Sequence, residues 1–188
     1  MIASRVAVAV AGLLTVLLLQ ASLVGPLTFP VPVSLPALLV VVVAIYAGPG
    51  IGMGFGFATG LVADLASDHP AGVQALCWLA AGVAAGVLGG LAVQRAYSNR
   101  AAAAMAAAVA TAASFAQSIV LAIVGSHGAT VWLALRYLVP VGLTDALLAL
   151  ALVPLVRWLL RAQGIRAPRP VGEVITRVDV AGGSYVGR

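Results

Sequence analysis

The run LPALLVVVVAIYA, residues 35–47, carries no charge and no alternation of polar with apolar positions, and it is one of several such runs in the chain. A strand of a membrane barrel alternates its two faces, whereas a lipid-embedded helix satisfies its own backbone and is free to be apolar all round. LALALVPLVRWLL, residues 148–160, reads the same way. Hydrophobic residues make up 63% of the 188 positions, charged residues 8%, and the mean hydropathy is +1.14. A soluble domain of this length cannot hide so much apolar surface, so the bilayer is the expected solvent and the expected class is an all-α integral membrane protein.

Turn residues divide the apolar sequence into six candidate helices at about residues 5–24, 35–47, 50–66, 71–94, 101–124 and 131–161. The first has Arg5 before an apolar run, as a signal peptide would. It is longer than a typical signal core and lacks a clear small-x-small cleavage site, so it is expected to be a retained span. PLTFPVPVSLP, residues 26–36, is proline-rich and reads as an extended connection. The second and third segments are short for a bilayer of about 30 Å, so they are expected to pack as a close pair.

All ten basic residues are arginines. With the N-terminus inside, Arg5, Arg95, Arg100, Arg157, Arg161, Arg166 and Arg169 fall on the cytoplasmic side, and the outer connections hold only Asp68, His69 and His127. This is the positive-inside pattern for six spans with both termini cytoplasmic. The expected domain therefore covers residues 1–163, and residues 164–188, rich in Pro, Gly and mixed charge, read as a disordered cytoplasmic tail. The net charge of +5 lacks the interleaved aromatics of a nucleic-acid surface, so no nucleic acid is expected.

Residues 48–60, GPGIGMGFGFATG, hold six glycines. Gly48, Gly52, Gly56 and Gly60 are spaced by four, and Asp64 and Asp68 continue the row. A second row, Gly82, Gly86 and Gly90, lies in the fourth segment. Helices in lipid associate by close packing, which small residues at this spacing permit. A phosphate loop is excluded by the absence of lysine and of its glycine pattern, and a channel filter lacks its flanking architecture.

An acid within a membrane helix costs about 2.5–3.5 kcal/mol at mid-bilayer, so Asp64 and Asp145 call for partners. Arg136, the one arginine this topology leaves off the cytoplasmic side, is expected to reach Asp64 or Asp145. A second reading turns Asp64 to the outer surface beside Ser67 and Asp68. Catalytic patterns are missing: Ser118 and the Ser126–His127 pair lack a nucleophile elbow, and there is no H-E-x-x-H and no intramembrane G-x-G-D pair. Asp68, His69 and His127 make a weak metal set, and the single Cys77 excludes an internal disulfide. No enzyme activity, cofactor or metal is expected.

The segment Gly60-Leu61-Val62-Ala63-Asp64-Leu65, followed by Pro70, Gly72 and Ala75-Leu76, resembles the rod shape-determining MreD family. So does Leu143-Thr144-Asp145-Ala146-Leu147-Leu148, followed by Val153-Pro154-Leu155-Val156 and the arginines at 157 and 161. The resemblance covers about residues 1–163. It implies a non-catalytic, multi-pass subunit of the bacterial inner membrane that binds MreC through its span. MreB, RodA and its transpeptidase partner belong to the wider assembly that builds lateral peptidoglycan. It also implies a fold similar to the substrate-binding subunits of energy-coupling-factor transporters. On that kinship, an alternative function is a vitamin-like small-molecule binding subunit, with Asp64, Arg136 and Asp145 lining an outward pocket and Trp78, Trp132 and Tyr137 near it. The packing or partner-binding candidates are Gly52, Gly56, Gly60, Asp64, Pro70, Gly72, Gly82, Gly86, Arg136, Thr144, Asp145 and Pro154. Lipid is an expected partner through the basic rim, and a homo-oligomer is compatible with the sequence.

Overall fold

A computed structural model describes Gln20 and residues 34–67, 71–93, 98–125 and 131–162. The first candidate segment, Pro70, the histidines and the tail lie outside the described residues. Within them the chain forms five helices and no strand: α1 Leu35–Ala47, α2 Pro49–Leu65, α3 Val73–Val93, α4 Asn99–Ile123 and α5 Val131–Ala162. Three of these, α3, α4 and α5, are long and apolar enough to cross a membrane.

α1 forms the centre. It is apolar on every side, and a helix without a polar face belongs inside a protein or in lipid. Ten of its thirteen residues are buried, with Leu38, Val40, Val41 and Val42 fully enclosed. Its 13 residues reach only about 20 Å at 1.5 Å per residue. Protein rather than lipid surrounds it, since α2, α3, α4 and α5 all pack against it. Its start is fixed by local chemistry: the Ser34 hydroxyl accepts from the Ala37 N–H at 3.4 Å, and Pro36 occupies the first turn, where a missing N–H costs nothing. The Leu35 N–H donates to Gln20 Oε1 at 2.8 Å, satisfying another first-turn donor.

Gly48 separates α1 from α2 with φ of 92°, a left-handed conformation that only glycine adopts without strain, and Pro49 then opens α2. Two antiparallel hairpins flank α1: α2 with α3, and α4 with α5, joined to each other where α3 meets α4. The ends therefore sort into two sets. The Gly48 end gathers the end of α1 and the starts of α2 and α4; the Asp64 end gathers the end of α2 and the start of α3.

Outward faces are apolar, as helices solvated by acyl chains require. Leu65, Leu76, Trp132, Val139 and Leu147 are each more than 60% exposed. α5 keeps its helical path through Pro140 and Pro154, each of which removes one backbone donor. The Thr144 hydroxyl donates to the Pro140 carbonyl at 2.8 Å, a local bond of the kind that accompanies helix bending.

Candidate functional site

The glycine rows of α2 and α3 meet each other. A Cβ built on Gly52 would lie 2.5 Å from the Gly82 carbonyl oxygen, and one on Gly60 would lie 2.5 Å from the Ala75 Cα. Between these, Gly56 faces the Trp78 backbone, and at the Gly48 end Gly86 meets Pro49 and Gly89 meets Ile45. All these neighbours are backbone atoms, so no rotamer change makes room for a side chain.

Gly90, expected to continue the row from Gly86, has open space around it, and Gly89 takes its place. Gly86 already faces Pro49, the first residue of α2, so beyond it α3 packs on α1 instead, through Gly89 against Ile45. Gly54 and Gly50 likewise point into open space.

Asp64 closes the row. Its carboxylate is 3% exposed and turned across the hairpin onto the start of α3. Oδ2 accepts from the N–H groups of Gly72 at 2.9 Å and Ala75 at 3.0 Å, and Oδ1 accepts from that of Gln74 at 3.1 Å. These are donors that a helix start leaves without intrahelical partners. The acid thus caps α3 from the end of α2, and its negative charge sits at the positive end of the α3 dipole. Each partner compensates the other: the buried charge gains three donors, and three backbone donors gain an acceptor. Gly72, with φ of 99°, gives the turn that aims its N–H back at the acid. Around it, the Ser67 hydroxyl donates to the Asp64 carbonyl at 3.0 Å and the Gln74 side-chain amide donates to Ser67 Oγ at 3.4 Å.

Neither arrangement expected for Asp64 is found. It does not turn to the surface, and Arg136 is exposed on α5 and ion-paired with neither acid among the described residues. Backbone donors satisfied the carboxylate instead, a partner class invisible to a search for opposite charges.

Asp145 lies mid-way along α5, 2% exposed, and accepts from the Thr111 hydroxyl of α4 at 2.9 Å. Thr111 was not singled out by sequence because one threonine in the alanine-rich α4 carries no spacing signal. The other half of the expected motif behaves differently: Thr144 bonds within its own helix, and Pro154 is exposed. Asp64, Asp145 and Arg136 therefore have separate surroundings. Trp78 is buried at 3% exposure behind the hairpin while Trp132, at 75%, faces outward.

One further polar atom stands out. Thr59 is fully buried one residue before Gly60, and its hydroxyl oxygen has no hydrogen-bond partner among the described residues. An open groove of about 380 Å³ runs between Leu76–Ala84 of α3 and Val109–Ala116 of α4; its lining is apolar and includes none of the acids or Arg136. Among the described residues no group of three His, Cys, Asp or Glu could hold a metal ion.

A family model described as rod shape-determining protein MreD matches residues 4–163. The chain belongs to the MreD family. The match spans all five helices, so the glycine hairpin, its Asp64 cap and the Thr111–Asp145 bond all lie within the MreD region. No curated protein and no solved structure matches the chain.

Proposed function

We propose that the protein is a non-catalytic membrane scaffold of the cell-elongation machinery, binding MreC and supporting lateral peptidoglycan synthesis. Membership of a family of rod shape-determining proteins carries this reading. The polar chemistry is consistent with it: the two buried acids bond to a helix start and to a threonine, and so hold helices together rather than face a substrate. On this reading the chain crosses the inner membrane six times with both termini cytoplasmic, residues 1–163 form the membrane domain, and MreB and RodA with its transpeptidase partner belong to the wider assembly.

The glycine faces of α2 and α3 are occupied by each other, so the MreC span docks on another face of the bundle. The test is co-purification from cells expressing the full elongation set. MreC is expected at a fixed stoichiometry with the wild type; isolation of the protein without MreC under mild detergent overturns the proposal.

A further inference from the structure

The Gly48 end of the bundle carries a cluster that the scaffold role does not use. Arg157, near the end of α5, donates through Nη1 to Asn99 Oδ1 at the start of α4, which fixes the guanidinium across two helices. Arg161 follows Arg157 by one helical turn on the same face of α5. Arg100 follows Asn99 in the first turn of α4 and is exposed. Two helix ends thus bring three guanidinium groups to one rim.

The acids among the described residues are Asp64, at the opposite end, and Asp145, mid-helix, and both are buried. No carboxylate among the described residues therefore neutralises the cluster. Immediately beside it the surface turns apolar, with Leu155 52% and Trp158 65% exposed on α5. Positive charge above an exposed apolar strip, at the end of a helix apolar enough to cross a membrane, matches one molecule in both parts. A guanidinium grips a phosphate by paired N–H bonds, as an ammonium does not, and every basic residue of this chain is arginine.

We propose that this rim binds the headgroup of an anionic phospholipid, with Arg157 and Arg161 on the phosphodiester, Arg100 adding charge, and the acyl chains along Leu155 and Trp158. The inference is independent of MreC binding, because it concerns the protein alone.

The experiment titrates the purified full chain, in neutral detergent, with phosphatidylglycerol, phosphatidylcholine or inorganic phosphate and follows the thermal unfolding midpoint. A ligand that binds the folded state raises that midpoint by mass action. Phosphatidylglycerol is expected to raise it, and phosphatidylcholine and phosphate are not. Loss of one arginine near a charged lipid surface weakens binding about fivefold. Arg161→Gln, an exposed change, is therefore expected to shift the half-effective phosphatidylglycerol concentration upward by about that factor, and Arg157→Gln combined with it further. Arg136→Gln, at the other end, is expected to leave the response unchanged. If Arg161→Gln behaves as wild type, if Arg136→Gln weakens the response equally, or if phosphate alone reproduces it, the proposal fails. Because Arg157→Gln removes the bond to Asn99 and risks misfolding, Arg161→Gln alone decides.

Discussion

The two hairpins solve one problem in opposite ways. In α2–α3, backbone meets backbone from Gly52–Gly82 to Gly60–Ala75, and a carboxylate ties the end to three backbone N–H groups. In α4–α5, side chains make the contact. Ala106, Ala110 and Ala113 on one helix and Ala149, Val153 and Val156 on the other belong to the core, and the Thr111–Asp145 and Asn99–Arg157 bonds join the helices. Lipid offers helices little hydrophobic reason to associate, so packing and hydrogen bonds must do it. The glycine contact of the first hairpin, from Gly52 to Gly60, tolerates no added atom; the second has valine rotamers with which to adjust.

The sharpest way to break this contrast is a bulky residue in the glycine row. Gly56→Leu is expected to destabilise by more than ~3 kcal/mol, because the new side chain meets the Trp78 backbone rather than a movable group. Gly54→Leu, facing open space two residues away, is expected to fold normally. Thermal unfolding in detergent separates the two, and equal damage would show that helix propensity, not the contact, governs this segment.

Next in size is the cap. Asp64→Ala leaves one buried and two part-buried backbone donors without an acceptor and is expected to cost about 3 kcal/mol, with Asp64→Asn milder because one oxygen still accepts. Hydrogen exchange at residues 72–75 should rise first, and uniform loosening of the bundle would contradict a local cap.

In the second hairpin the expected effects are smaller. Thr111→Val removes the single hydroxyl on Asp145 and is expected to cost ~1 kcal/mol in the same unfolding assay. Gly142→Ala, where a Cβ would sit 3.6 Å from Thr111 Oγ1, is expected to stay within ~0.5 kcal/mol of wild type. Large damage from Gly142→Ala would show that this interface is as unyielding as the first.

What the sequence revealed follows from the same contrast. Helices α1 to α5 were legible because turn residues such as Gly48-Pro49 interrupt unbroken apolar runs, and the bounds at 35 and 47 coincide with those of α1. The glycine spacing exposed the packing face of α2, since an absent side chain leaves a periodic mark. It misled at Gly90 because α2 begins at Pro49, opposite Gly86, and α3 beyond that point packs on α1 through Gly89. The sequence also encouraged pairing Asp64 with Arg136 because opposite charges are visible in sequence and N–H groups are not. Thr59 and Thr111 were overlooked for a related reason: a lone hydroxyl on an apolar helix has no pattern until its neighbours are placed.

The cap on α3 has a consequence for how such chains diverge. Asp64 binds main-chain atoms: residue 74 would offer its N–H with almost any side chain, whereas residue 72 needs glycine for its positive φ. Mutation at Gln74 leaves that acceptor–donor bond intact, so no compensating change at 64 follows. Substitution of the acid, by contrast, has no side-chain remedy on the other strand of the hairpin. Drift is thus constrained at 64 and at Gly72 but left free at 74, and statistics of correlated mutation would pass over the bond between 64 and 74.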